Sequence, residues 1–150
     1  MIAFCSSVNI GRRPEDVFDF FANLDRAPQA ENSPVLALEM TGPPGLGTKY
    51  REVVRMLPFY NGEFLNEFTA FEPPRLLEVL WTGPGMAGRD RYELTEIQGG
   101  TKLVHQKWVS CPGLLRLMEP IMRRALFPRL ELRLREIECG LEKEPDLAVV

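Results

Sequence analysis

GRRPEDVFDFFANLDRAPQAENSP, residues 11–34, is the stretch on which the fold turns. Pro14 stands where a first helical position would fall, and its fixed φ suits helix entry. Glu15 and Asp16 follow in the first turn, where the helix dipole favours negative charge. Val17, Phe18, Phe21 and Leu24 recur at helical spacing, so one face is apolar. The pattern predicts a short helix over 14–22 and a short irregular or weakly helical connection over 25–34.

On both sides of this helix the hydrophobic period is two. Upstream, Ile2, Phe4, Val8 and Ile10 alternate, with Ser6 as the exception, and predict a strand over 2–10. Downstream, strands are expected over 35–41, 48–57, 63–71, 76–82, 89–97 and 101–110. Turns fall at GPPGLG (42–47), at 58–62, at Pro73-Pro74, at GPGMAG (83–88) and at Gln98-Gly99-Gly100. Proline cannot donate to a ladder, so Pro73 and Pro74 end a strand. Connections of hairpin length make the sheet antiparallel.

After Cys111-Pro112-Gly113 the period becomes helical again. Leu114, Leu117, Met118, Ile121 and Met122 lead into Leu126, Leu130, Leu134, Ile137 and Leu141, with a break expected near Pro120 and a kink at Pro128. Arginines and glutamates interleave on the other face, the usual solvated, salt-bridged surface. The expected fold class is therefore α+β: a curved antiparallel sheet of about seven strands around one long C-terminal helix, with short helices after the first strand. Residues 1–143 would form a single domain and 144–150 a tail. A strongly bent sheet around such a helix leaves an internal space.

Bulk properties fit one soluble domain. The chain has 150 residues, of which 45% are hydrophobic and 26% charged, and a formal net charge of -3. Nothing in that balance invites nucleic acid or anionic lipid, and no apolar run is long enough for stable membrane insertion. Residues 1–10 lack the features of a secretory signal. The three cysteines have no CxxC spacing and read as reduced thiols, so a cytoplasmic location is expected. One histidine and scattered cysteines argue against a metal site. The glycine-rich turns do not follow the strand–loop–helix order of phosphate binding, and no cofactor is expected.

The stretches VNIGRRPEDVFDFFANLDRAPQ (8–29), GLGTKYRE (45–52), FTAFEPPRLLEV (68–79) and RYELTEIQGGTKL (91–103), with the closing helix, resemble the helix-grip proteins. This is the START-like, polyketide cyclase/dehydrase-like superfamily also labelled SRPBCC. Members often carry an aromatic just after the alanine-proline segment, where this chain has Gln29-Ala30-Glu31. The resemblance implies that the first helix closes one end of the bent sheet and is wall rather than machinery.

The resemblance also assigns an inner face: Tyr50, Glu52, Val54, Phe64, Asn66, Phe68, Leu77, Val79, Trp81, Asp90, Tyr92, Leu103 and His105. Leu126, Leu130 and Leu134 would face them from the helix. Most are apolar, which suits a small hydrophobic molecule as partner. His105, Glu52 and Asp90 are the candidates for proton transfer. The plainer readings are a hydrogen-bonded wall histidine and carboxylates paired with Arg89 or Arg91. A register slip near Gln106 would instead turn Trp108 inward. Asn66 and Tyr92 could orient a ligand oxygen or satisfy backbone groups.

Three functions follow. The first is binding or transport of a small hydrophobic or amphipathic molecule of lipid, polyketide or isoprenoid type. The second is a cyclase/dehydratase-like enzyme. The third is a protein-interaction or stress-associated module. Monomer and homodimer are both open.

Overall fold

The structure, a computed structural model, describes residues 2–23, 35–118, 120, 121 and 124. The elements are β1 (Ile2–Ile10), α1 (Pro14–Ala22), β2 (Val35–Met40), β3 (Lys49–Leu57), β4 (Tyr60–Glu72), β5 (Leu76–Gly83), β6 (Met86–Ile97) and β7 (Gly100–Ser110), then a 3-10 turn at Gly113–Met118. The strands form one curved antiparallel sheet in the order β1-β7-β6-β5-β4-β3-β2. Register shifts between Val35 and Ala37, Arg55 and Leu57, and Phe68 and Ala70 interrupt the ladders of β2, β3 and β4. Such bulges bend a strand and increase its twist.

The helix forms as its sequence dictates. Pro14 occupies its first turn, and the Arg13 carbonyl accepts hydrogen bonds from the amides of Asp16 and Val17. The Arg13 guanidinium meets Asp16 at 3.2 Å. Val17 and Phe18 are buried against the concave face of the sheet, in one core with Tyr50, Phe68, Leu77, Val79, Leu94 and Leu103. Phe18 meets Phe71 edge to face at 5.2 Å. The corner that feeds this helix is tied to β7, the neighbour of β1 in the sheet: the Thr101 hydroxyl donates to the Arg12 carbonyl at 2.7 Å. A second apolar cluster, Ile2, Phe4, Trp81, Val109 and Cys111, lies toward the opposite end.

Several sequence expectations are corrected. Residues 86–88, read as loop, belong to β6, because a two-residue turn at Pro84-Gly85, with Gly85 at φ 68°, already reverses the chain. Likewise β4 starts at Tyr60, not at residue 63, and its turn exposes Leu57, Phe59 and Tyr60. The strand expected over 2–10 is present as β1, and Ser6 pairs with His105 within its continuous register. Residues 113–118 form a 3-10 turn in place of an α-helix. Pro120 has no N–H for the carbonyl of Arg116, and its ring crowds that carbonyl, which removes the bond that would continue an α-helix. The connection expected over 25–34, the part of the expected C-terminal helix that carries Leu126, Leu130 and Leu134, and the expected tail lie outside the described residues.

Candidate functional site

Between the two apolar clusters the concave face carries a polar band, and strand register builds it. Val79, Asp90 and Lys107 stand side by side across β5, β6 and β7, while Tyr92 stands opposite His105. Asp90 is the hub. Its Oδ1 lies 2.6 Å from His105 Nε2. Its Oδ2 accepts the Trp81 indole N–H at 2.8 Å and the Lys107 ammonium at 3.2 Å. That ammonium also sits 5.1 Å from the centre of the Trp81 ring, a cation–π distance.

Trp81 can reach Asp90 because its cross-strand partner is Gly88. A Cβ at Gly88 would collide with the indole and with the Trp108 carbonyl. Gly88→Ala should therefore cost about 2 kcal/mol of stability and displace Trp81 from the carboxylate. Chemical denaturation and near-UV circular dichroism would check it; an unchanged tryptophan signal at wild-type stability would contradict the packing described.

Asp90 is buried, which by itself pushes its carboxyl up. The hydrogen bond from His105 and the charge of Lys107 outweigh that and hold it below its ordinary value of 3.8. Asp90 is thus a carboxylate at neutral pH and can only accept hydrogen bonds. His105 Nε2 must then be the donor. The imidazole is also clamped by stacking: Tyr92 lies parallel to it at 4.5 Å and 9°, and Phe21 of α1 stacks on Tyr92 at 4.6 Å. The first helix is therefore more than wall. It buttresses the ring of the chain's one histidine.

Glu52 and Asp90, read from sequence as a base and polariser in one pocket, are held by different partners. Glu52 pairs with Asn66, whose amide donates to it at 3.4 Å and to the Phe64 carbonyl at the same distance. The alternative pairing of Asp90 with Arg89 or Arg91 also gives way. Period two places both arginines on the outer face, where Arg91 meets Glu93 at 2.8 Å and Glu78 at 3.3 Å. Arg89 covers the Trp108 ring there at 4.2 Å. The ladders of β7 run without a register shift, so Trp108 does not turn inward.

Of the inner-face assignments, Tyr50, Asn66, Phe68, Leu77, Val79, Trp81, Asp90, Leu103 and His105 are buried, while Glu52, Val54, Phe64 and Tyr92 keep part of their surface accessible. Sequence reasoning misses Lys107 and Phe21. Counting two residues on from His105 finds Lys107, because i and i+2 share a strand face. Phe21 reads as apolar, but its partner depends on how α1 docks. Among the described residues no group of acidic, histidine and cysteine side chains is arranged to hold a metal ion, and no helix is long and apolar enough to cross a membrane. A groove of about 440 Å³ crosses β2 to β5. Leu65 and Leu80 border it, and Asp90 and His105 do not.

With this geometry in place, the chain's relationships are informative. Residues 1–142 match the family described as polyketide cyclase / dehydrase and lipid transport, and the chain belongs to that family. No curated protein sequence matches it. A solved protein from Rhizobium leguminosarum superposes with a TM-score of 0.74 at 14% identity, covering 95% of each chain. A protein from Thermus thermophilus gives 0.72 at 16% identity, covering 93% of this chain and 97% of the other. Truncated norcoclaurine synthase from Thalictrum flavum gives 0.69 at 15% identity, over 96% and 95%. At these identities the likeness shows the fold alone.

Proposed function

We propose that the chain binds a small hydrophobic or amphipathic molecule against the concave face of its sheet. One observation carries this reading: the inward-facing side chains are not uniformly covered. Near α1 they form a closed core, whereas Glu52, Val54, Phe64 and Lys107 point inward yet stay partly accessible. Apolar walls with a few convergent polar groups are the usual make-up of a small-molecule site. Family membership supports the same reading. Native mass spectrometry of freshly purified protein tests it. A co-purifying small molecule, released on denaturation, is expected; a bare mass, together with no uptake of any added apolar probe, would sink the idea.

A second reading, cyclase- or dehydratase-like turnover, is favoured by the 2.6 Å contact between Asp90 and His105. A carboxylate that fixes an imidazole prepares its other nitrogen for proton transfer. In any reaction found for this chain, His105→Ala should reduce kcat by about a hundredfold; unchanged turnover would remove His105 from the chemistry.

A further inference from the structure

We propose that the concave site selects molecules carrying a hydroxyl of phenol or enol type, and that His105 Nδ1 is the atom that receives it. The proposal rests on the ligand-binding reading above and deepens it. His105 commits Nε2–H to Asp90. In the neutral ring the other nitrogen is then an acceptor with its lone pair in the ring plane. Nδ1 has no hydrogen-bond partner among the described residues, and no fully buried side-chain nitrogen or oxygen among them is left unpaired. Nδ1 therefore opens on accessible space. Rotation of the ring by half a turn would keep the Tyr92 stack but lose the carboxylate, so the acceptor stays where it is.

The neighbouring charges narrow the ligand class. Lys107 already sits 3.2 Å from Asp90, so a cationic amine approaching Nδ1 would meet a like charge beside a carboxylate that is already paired. A carboxylate ligand has no hydrogen to give. Neutral O–H donors remain, and the more acidic ones, phenols and enols, make the stronger bond to a nitrogen base. Flat aromatic ligands also suit the walls, where Phe64 and Trp81 meet edge to face at 5.8 Å.

The test compares 2-naphthol with its methyl ether, 2-methoxynaphthalene, by calorimetric titration of the full chain at pH 7. The ether lacks only the hydrogen that Nδ1 would accept, a methyl group standing in its place. Wild-type protein should favour the naphthol by about tenfold or more, the worth of one buried hydrogen bond. The ratio should fall to about one in His105→Leu, which removes the acceptor, and in Asp90→Asn, which no longer fixes the tautomer. Equal affinity of wild-type protein for both probes, or a preference that survives in His105→Leu, would overturn the proposal and leave the binding reading standing. Binding of neither probe would overturn this proposal, and the native mass spectrum then decides the binding reading. If Asp90→Asn does not fold, the wild-type and His105→Leu ratios decide alone.

Discussion

Replacing Asp90 with alanine should lower the unfolding free energy at pH 7 by about 3–4 kcal/mol, the usual cost of breaking a buried charge pair from one side. The substitution strands three donors at once: His105 Nε2, the Trp81 indole N–H and the partly covered Lys107 ammonium. For a domain of this size that is a large share of total stability and corresponds to a melting temperature lower by about 10 °C. The pH dependence should show the same group. The folded chain holds the Asp90 proton less tightly than the unfolded chain, because the carboxyl titrates below its ordinary 3.8 in the fold. Its contribution is therefore fully present above that value and is lost as pH falls through the lower, folded one. Urea denaturation of wild type and Asp90→Asn between pH 6 and pH 2 would check this. The two stabilities should converge in acid; curves that stay parallel throughout would show that Asp90 is not the paired carboxylate described.

The second large effect is expected at Phe18. Its ring is buried, belongs to the principal core and meets Phe71 at 5.2 Å. Phe18→Ala should cost about 3–5 kcal/mol through lost transfer energy and the cavity left behind. It should also enlarge the apolar space at the α1 end and admit a bulkier probe than wild type accepts. Phe20→Ala, on the same helix but only partly buried beside that core, should cost clearly less. Equal losses at the two positions in thermal denaturation would mean that α1 is not docked through Phe18.

The same two sites show what is legible in the sequence. The succession of elements along the chain, the antiparallel hairpins and α1 follow from hydrophobic period and turn residues, since these are local properties. Period two also puts Asp90 and His105 on one face. What it cannot give is their contact, because a diagonal pair between neighbouring strands depends on register. That register is set by the turn at Gln98-Gly99, with Gly99 at φ 84°, and by the close approach of Gly100 to the Ile10 carbonyl. Glu52 and Asp90 look equivalent in sequence for the same reason: alternation reports the face but not the neighbour. Local reading places the strand ends too far from the turns at 58–62 and 83–88, because Gly62 and Gly88 resemble turn residues yet sit inside ladders. The demand for glycine at Gly88 comes from the Trp81 indole, a long-range packing fact that local reading does not see.

The placement of the two tryptophans gives this chain a built-in pair of optical probes. Trp81 lies inside, bonded to a carboxylate that also contacts an ammonium, while Trp108 lies outside beneath a guanidinium. If the proposed ligand binds the concave face, it should perturb the emission of the first and spare the second. A water-borne quencher does the reverse, so one spectrum carries both a signal and its own reference.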